Sequence, residues 1–148
     1  MSRTIVFAAA VSLLAAATTL SAGSAEEAEI KSAALDYVEG FYEGDDSKLR
    51  RSVRPEVTKF GFARRSADQP YQGMPMSFDQ MIEYAERVQS SGDTAPDDAP
   101  KNVIILDQMD QIAVVRVDAF WGSDYLQMAK YDGRWQILHV IWQTPEAE

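Results

Sequence analysis

Residues 124–142 read Asp-Tyr-Leu-Gln-Met-Ala-Lys-Tyr-Asp-Gly-Arg-Trp-Gln-Ile-Leu-His-Val-Ile-Trp. Two alternating runs flank Asp132-Gly133, a pair that accepts the positive φ angles of a tight hairpin turn. A period of two sends successive side chains to opposite faces, so this block commits the chain to an antiparallel sheet with an apolar face to cover. The same period extends upstream. Residues 103–109, 112–121, 123–131 and 134–142 read as four sequential strands, with turns at Met109-Asp110-Gln111, Gly122 and Asp132-Gly133.

Something must cover that face. From residue 26 to 43, Ile30, Ala34, Tyr37 and Phe41 recur at spacings of three and four, which places them on one helical stripe, while Asp36, Glu39 and Glu43 fall outside it. Gly44-Asp45 stops this helix, Asp46 or Ser47 can cap a short second one, and Arg54-Pro55 ends that, because a residue before proline avoids the α region. Residues 57–63 and 71–76 can be two short strands joined by the polar loop 64–69. Ser77 with Gln80 forms a capping box for a third helix with the stripe Phe78, Met81, Ile82, Ala85 and Val88. Residues 90–100 read as a flexible acidic connection. This order implies an α+β domain in which a strongly curved antiparallel sheet wraps on a long N-terminal helix, with two further helices.

The first 25 residues have another reading. Arg3 precedes an apolar or small run from Ile5 to Leu20, and Gly23 and Ala25 supply small residues at positions −3 and −1 before Glu26. This is the layout of a secretory signal, so residues 26–148 are expected as one mature domain, secreted or periplasmic, with no stable membrane anchor after cleavage. There is no cysteine, so the domain must fold on its core alone. Fourteen Lys and Arg stand against 23 Asp and Glu, a net charge of −9 that loss of Arg3 makes more negative, which argues against nucleic acid as a partner. Within that acidic chain, Lys48, Arg50, Arg51, Arg54, Lys59, Arg64 and Arg65 crowd one segment. They read either as a solvated face paired with the acidic first helix or as the rim of an anion pocket.

Asp36-Tyr-Val-Glu-Gly-Phe-Tyr-Glu-Gly-Asp45 and Arg54-Pro55-Glu56 resemble the opening of the nuclear transport factor 2-like superfamily. With Asp124-Tyr-Leu126 and Lys130-Tyr-Asp-Gly-Arg-Trp-Gln-Ile137 included, residues 30–143 are most similar to its putative lumazine-binding family. The resemblance implies a cone whose pocket lies between the first helix, the third helix and the concave face of the sheet, and a homodimer through the sheet. It does not imply one activity, since this fold hosts isomerases, dehydratases and pure binding domains. Against the ketosteroid isomerases of the superfamily, Tyr37 occupies the place of the oxyanion-donating tyrosine. The stretch Lys59-Phe-Gly-Phe62 lacks the carboxylate base, and the second donor falls near Gln127.

Candidate pocket residues follow. Tyr37 can donate to a developing oxyanion or sit as a satisfied core tyrosine. His139 is the only histidine and shares strand parity with Trp135 and Ile137, so it is a candidate general base if those pack inward. Tyr37, Phe41, Phe60, Phe62, Met81, Trp135 and His139 are the expected lining. Asp118, on the parity of Arg116, is expected outside. One histidine, no cysteine and scattered carboxylates point to no metal, and no phosphate loop or nucleophile elbow suggests a cofactor. The leading expectation is a domain binding a small aromatic or apolar ligand without a catalytic set. The alternative is a cofactor-free isomerase or dehydratase using His139 and Tyr37, and a third reading has the cone filled by its own side chains.

Overall fold

The computed structural model describes residues 10–145, with side chains from residue 23 onward; residues 1–9 of the expected leader lie outside the described residues, and residues 10–25 are the first part of the N-terminal helix. Among the described residues no helix is long and apolar enough to cross a membrane. Helix α1 (Ala10–Glu43) buries Ile30, Ala34 and Tyr37 completely and Phe41 nearly so, which is the expected stripe. Gly44 ends it with φ +71°, and a Cβ there would lie 2.5 Å from the Gln89 nitrogen. That contact is with helix α3 (Phe78–Ser91), so the glycine serves both the turn and the close approach of the two helices.

Helix α2 (Asp46–Ser52) is capped one residue earlier than expected, by Asp45, whose carboxylate accepts from both the N–H and the hydroxyl of Ser47. Its cations turn back on the acidic side of α1. Lys48 reaches Glu39 and Glu43 at 2.8 and 2.6 Å, and Arg51 forks onto Asp36. The basic segment is to that extent a paired face. Strand β1 (Val53–Ala63) follows without a loop, and β2 (Gln72–Met76) returns against it. Ser77 and Gln80 form the expected capping box of α3, which buries Met81, Ile82, Ala85 and Val88. The connection after it is tied down: Ala95 donates to the Tyr42 carbonyl, and the Tyr42 hydroxyl donates to Pro100 and accepts from the Phe120 N–H.

Strands β3 (Lys101–Gln108), β4 (Ile112–Ala119), β5 (Gly122–Tyr131) and β6 (Arg134–Gln143) form the meander, and the sheet order is β2-β1-β6-β5-β4-β3. The β5–β6 turn has φ +50° at Asp132 and +76° at Gly133, as the dipeptide requires. Two features depart from the expected sheet. Phe120 and Trp121 are the β4–β5 turn itself rather than the end of a strand, since Ala119 pairs with Gly122. The β1–β6 ladder is parallel, whereas the other ladders are antiparallel. It breaks between Val53 and Thr58, the stretch holding Pro55, which has no N–H to offer.

The concave face carries the core. Ala113, Val115, Val117 and Ala119 of β4 and Leu126 and Met128 of β5 alternate inward against α1 and α3. On β6 the alternation is interrupted. Gln127 pairs with His139 and Met128 with Ile137, which leaves Leu138 as an extra residue. Such a bulge moves every later side chain to the other face. Trp135 and Ile137 point inward before it, and Val140 is buried and Trp142 half-buried after it.

Candidate functional site

The sheet's inward parity holds two charged residues where apolar ones are the rule. On β1, Val57, Lys59 and Gly61 face in while Thr58, Phe60 and Phe62 face out. On β5, Asp124 shares the inward face with Leu126 and Met128. Lys59 is 8 % exposed and Asp124 not at all, so the topology brings an ammonium and a carboxylate together inside the cone.

Tyr37 stands between them. Its hydroxyl donates to Asp124 Oδ2 at 2.5 Å and accepts a hydrogen bond from Lys59 Nζ, which lies 3.5 Å from the same carboxylate oxygen. The other carboxylate oxygen receives the Trp121 Nε1–H at 2.7 Å. Lys59 Nζ is also 5.0, 5.2 and 5.6 Å from the ring centroids of Tyr37, Phe41 and Trp142, a cage that stabilises a cation through the ring faces. Burial pushes the Lys59 ammonium below the ordinary lysine value, with the Asp124 charge opposing it. Burial, with the Asp124 charge added to it, holds the Tyr37 phenol well above its usual value. Tyr37 is therefore a neutral hydroxyl in a chain that runs Lys59, Tyr37, Asp124.

A cavity of about 250 Å³ opens on Lys59 and is lined by Phe41, Met74, Met76, Tyr84, Phe120, Trp121 and Trp142. The Trp142 indole lies directly across Gly61, where a Cβ would fall 2.0 Å from its ring. Glycine at that inward position is what lets the indole cover β1 next to Lys59. A wider cleft of about 520 Å³ shares Phe41, Tyr84 and Phe120 with the cavity, and Asp93 and Asp98 stand at its rim. Among the described residues no three His, Cys, Asp or Glu side chains converge as a metal site.

Of the expected lining, Phe41 is in place and Tyr37 stands behind Lys59. His139 is not in the cone. It is exposed on the outer face, with its Nδ1 2.5 Å from the Thr58 hydroxyl, because the Leu138 bulge breaks the parity that linked it to Trp135 and Ile137. Phe60 and Phe62 are likewise outside, 41 % and 39 % exposed, since Lys59 and Gly61 take the inward parity of β1. Met81 and Trp135 are buried core residues that do not line the cavity. Gln127 is exposed, and the acid beside Tyr37 is Asp124. Asp118 is outside and takes Arg116 at 2.7 Å, as its parity implies. The signal that would have found Lys59 and Asp124 was present in the sequence: Lys59 is the charged residue among Val57, Gly61 and Ala63 on its strand parity, and Asp124 precedes Leu126 and Met128 on a parity that Lys130 alone also charges, at the strand's end.

The domain is similar in fold to several solved structures. A nuclear transport factor 2-like protein of unknown function from Silicibacter pomeroyi DSS-3 superposes with a TM-score of 0.64 at 19 % identity, over 83 % of this chain and 98 % of that one. Another from Shewanella baltica OS155 gives 0.60 at 22 % identity over 82 % and 95 %, and a third from Methylobacillus flagellatus KT gives 0.59 at 18 % over 81 % and 92 %. No curated protein matches the sequence. The profile of one family, described as putative lumazine-binding, matches residues 25–143. The chain is a nuclear transport factor 2-like domain and belongs to the putative lumazine-binding family.

Proposed function

We propose that this protein is a secreted or periplasmic carrier or sensor domain that binds a flat, neutral molecule of one or two rings in the cone, its oxygen atom toward Lys59. Family and fold support a small-ligand-binding domain. The observation that carries the finer reading is the cavity of about 250 Å³ with aromatic and thioether walls and a single buried ammonium. The volume is below that of pockets for drug-sized ligands, about 300–1,000 Å³, and so fits a small ring system. Neutrality follows from charge: the buried Lys59 and Asp124 already balance, and Asp93 and Asp98 at the rim repel anions. Lumazine, a flat bicyclic dione, has this shape and these acceptors. Secretion rests on the layout of residues 1–25. An isomerase or dehydratase built on His139 and Tyr37 lacks geometric support, since the imidazole lies on the outer face and the phenol inside.

A homodimer through the outer face of the sheet is supported by its exposed apolar residues: Phe62, Tyr125 and Ile141 border an open groove there, and Phe60 packs on Phe62. Phe62→Asp should shift the protein from dimer to monomer in sedimentation equilibrium, and a wild-type monomer would overturn this placement. For the ligand, calorimetric titration with lumazine and with 2-naphthylmethanol should show saturable binding of at least one. Met76→Trp, which fills the cavity, should weaken it at least tenfold with the far-UV spectrum unchanged. Unaltered binding in that variant, or none in the wild type, overturns the reading.

A further inference from the structure

We propose that Lys59 is a nucleophile that forms an imine with a small aromatic aldehyde or ketone seated in the cavity. The inference rests on the ligand-binding reading above and narrows it to a chemical class.

Three observations carry it. First, the Lys59 amine is the only side-chain nitrogen among the residues that line the cavity, apart from the two indoles, so a carbonyl admitted there meets it. Second, Lys59 is joined to a proton acceptor by an unbroken hydrogen-bonded chain. Nζ donates to the Tyr37 hydroxyl, and that hydroxyl donates to Asp124 Oδ2. A concerted shift along this chain moves one proton from Lys59 to Tyr37 and one from Tyr37 to Asp124. The result is a neutral amine, a neutral phenol and a carboxylic acid, with no net change in buried charge. Third, Asp124 is held in place by the Trp121 indole on its second oxygen, so the chain is positioned before any ligand arrives.

The chemistry balances without a further reactant. The amine lone pair attacks the carbonyl carbon, the C–N bond forms, and the proton that the now-cationic nitrogen sheds passes to the oxygen to give a neutral carbinolamine. Asp124 returns its proton through Tyr37 to the carbinolamine hydroxyl, which leaves as water while the C=N bond forms. Water is the only product besides the imine. Burial favours the neutral amine at Lys59, whereas the carboxylates beside Lys48 and Lys101 hold those two above the ordinary value. Lys130 is paired with Glu26.

The test uses the full mature chain, 2-naphthaldehyde as probe, sodium cyanoborohydride to reduce any imine to a stable amine, and peptide mass spectrometry to place it. The expected result is one naphthylmethyl group per chain, on Lys59, with labelling that saturates and is competed by 2-naphthylmethanol, which has the same rings and no carbonyl. Lys59→Arg should lose the label. The wild-type map decides the matter even if that variant does not fold. Labelling of Lys59 no faster than of Lys31, Lys48, Lys101 and Lys130 overturns the proposal. So does saturable binding of 2-naphthylmethanol without label on Lys59, an outcome that leaves the ligand-binding reading intact. If nothing is labelled and neither 2-naphthylmethanol nor lumazine binds, both readings fall.

Discussion

Replacing Asp124 by Asn removes the counterion of a lysine that stays buried. The side chain keeps its size and one acceptor, so the change isolates charge from packing. Lys59 then has two options: to remain an unpaired ammonium among Phe41, Trp142 and Tyr37, or to give up its proton. Deprotonating at pH 7 a lysine whose ordinary value is 10.5 costs about 5 kcal/mol at 1.36 kcal/mol per unit, and this caps the penalty. Breaking buried ion pairs generally costs about 3–5 kcal/mol, which falls under the cap. The expected loss is therefore about 3–5 kcal/mol, read from urea unfolding followed by tryptophan fluorescence and far-UV circular dichroism. At pH 9 the same cap falls to about 2 kcal/mol, below the cost of the unpaired ammonium, so the lysine gives up its proton and the gap to wild type should narrow to about 2 kcal/mol. Adding Lys59→Met removes the stranded ammonium and should restore roughly 2 kcal/mol or more. A loss below about 1 kcal/mol, or a double variant no more stable than the single one, would refute the idea that Asp124 exists to hold a buried charge.

Gly61→Ala drives a Cβ into the Trp142 ring, so it should cost about 1–3 kcal/mol as overpacking and shift tryptophan emission to longer wavelength as the indole is displaced. An unshifted spectrum with wild-type stability would contradict the position given to that indole. His139→Ala should change stability by no more than about 1 kcal/mol and leave calorimetric binding of lumazine or 2-naphthylmethanol unaltered; a tenfold weakening would return His139 to the site. Glu39 accepts from Lys101 and Lys48 at 2.6 and 2.8 Å, and these bonds hold its carboxyl below the ordinary 4.5. A depressed folded value means stabilisation that is present above 4.5 and lost as pH falls through that value. Glu39→Gln should thus cost roughly 1 kcal/mol at pH 7 and nothing in strong acid, and a pH-independent difference would count against the pairing.

The parity of β4, the α1 stripe, the Ser77–Gln80 capping box and the Asp132-Gly133 turn were all legible, because each is local: a period, a cap or a φ requirement is written in neighbouring residues. The placement of Tyr37 and Phe41 followed from the same helical period. His139 was misplaced for an equally local reason. A single extra residue, Leu138, reverses the parity of everything after it, and nothing in residues 134–142 marks where the ladder with β5 slips. Phe60 and Phe62 look like pocket aromatics only until Lys59 and Gly61 are seen to take the inward side of β1.

By itself the sequence determined an α+β domain, its element order and the buried stripes of α1 and α3, since hydrophobic period and turn chemistry act over a few residues. Tertiary structure decided the site. Lys59, Tyr37 and Asp124 come from a strand, a helix and another strand, 22 to 87 positions apart, and meet only because β6 pairs with both β1 and β5 beneath α1. A charge on an apolar parity is unfavourable alone and stable in company, and which company it keeps is fixed by the pairing of strands rather than by any residue next to it.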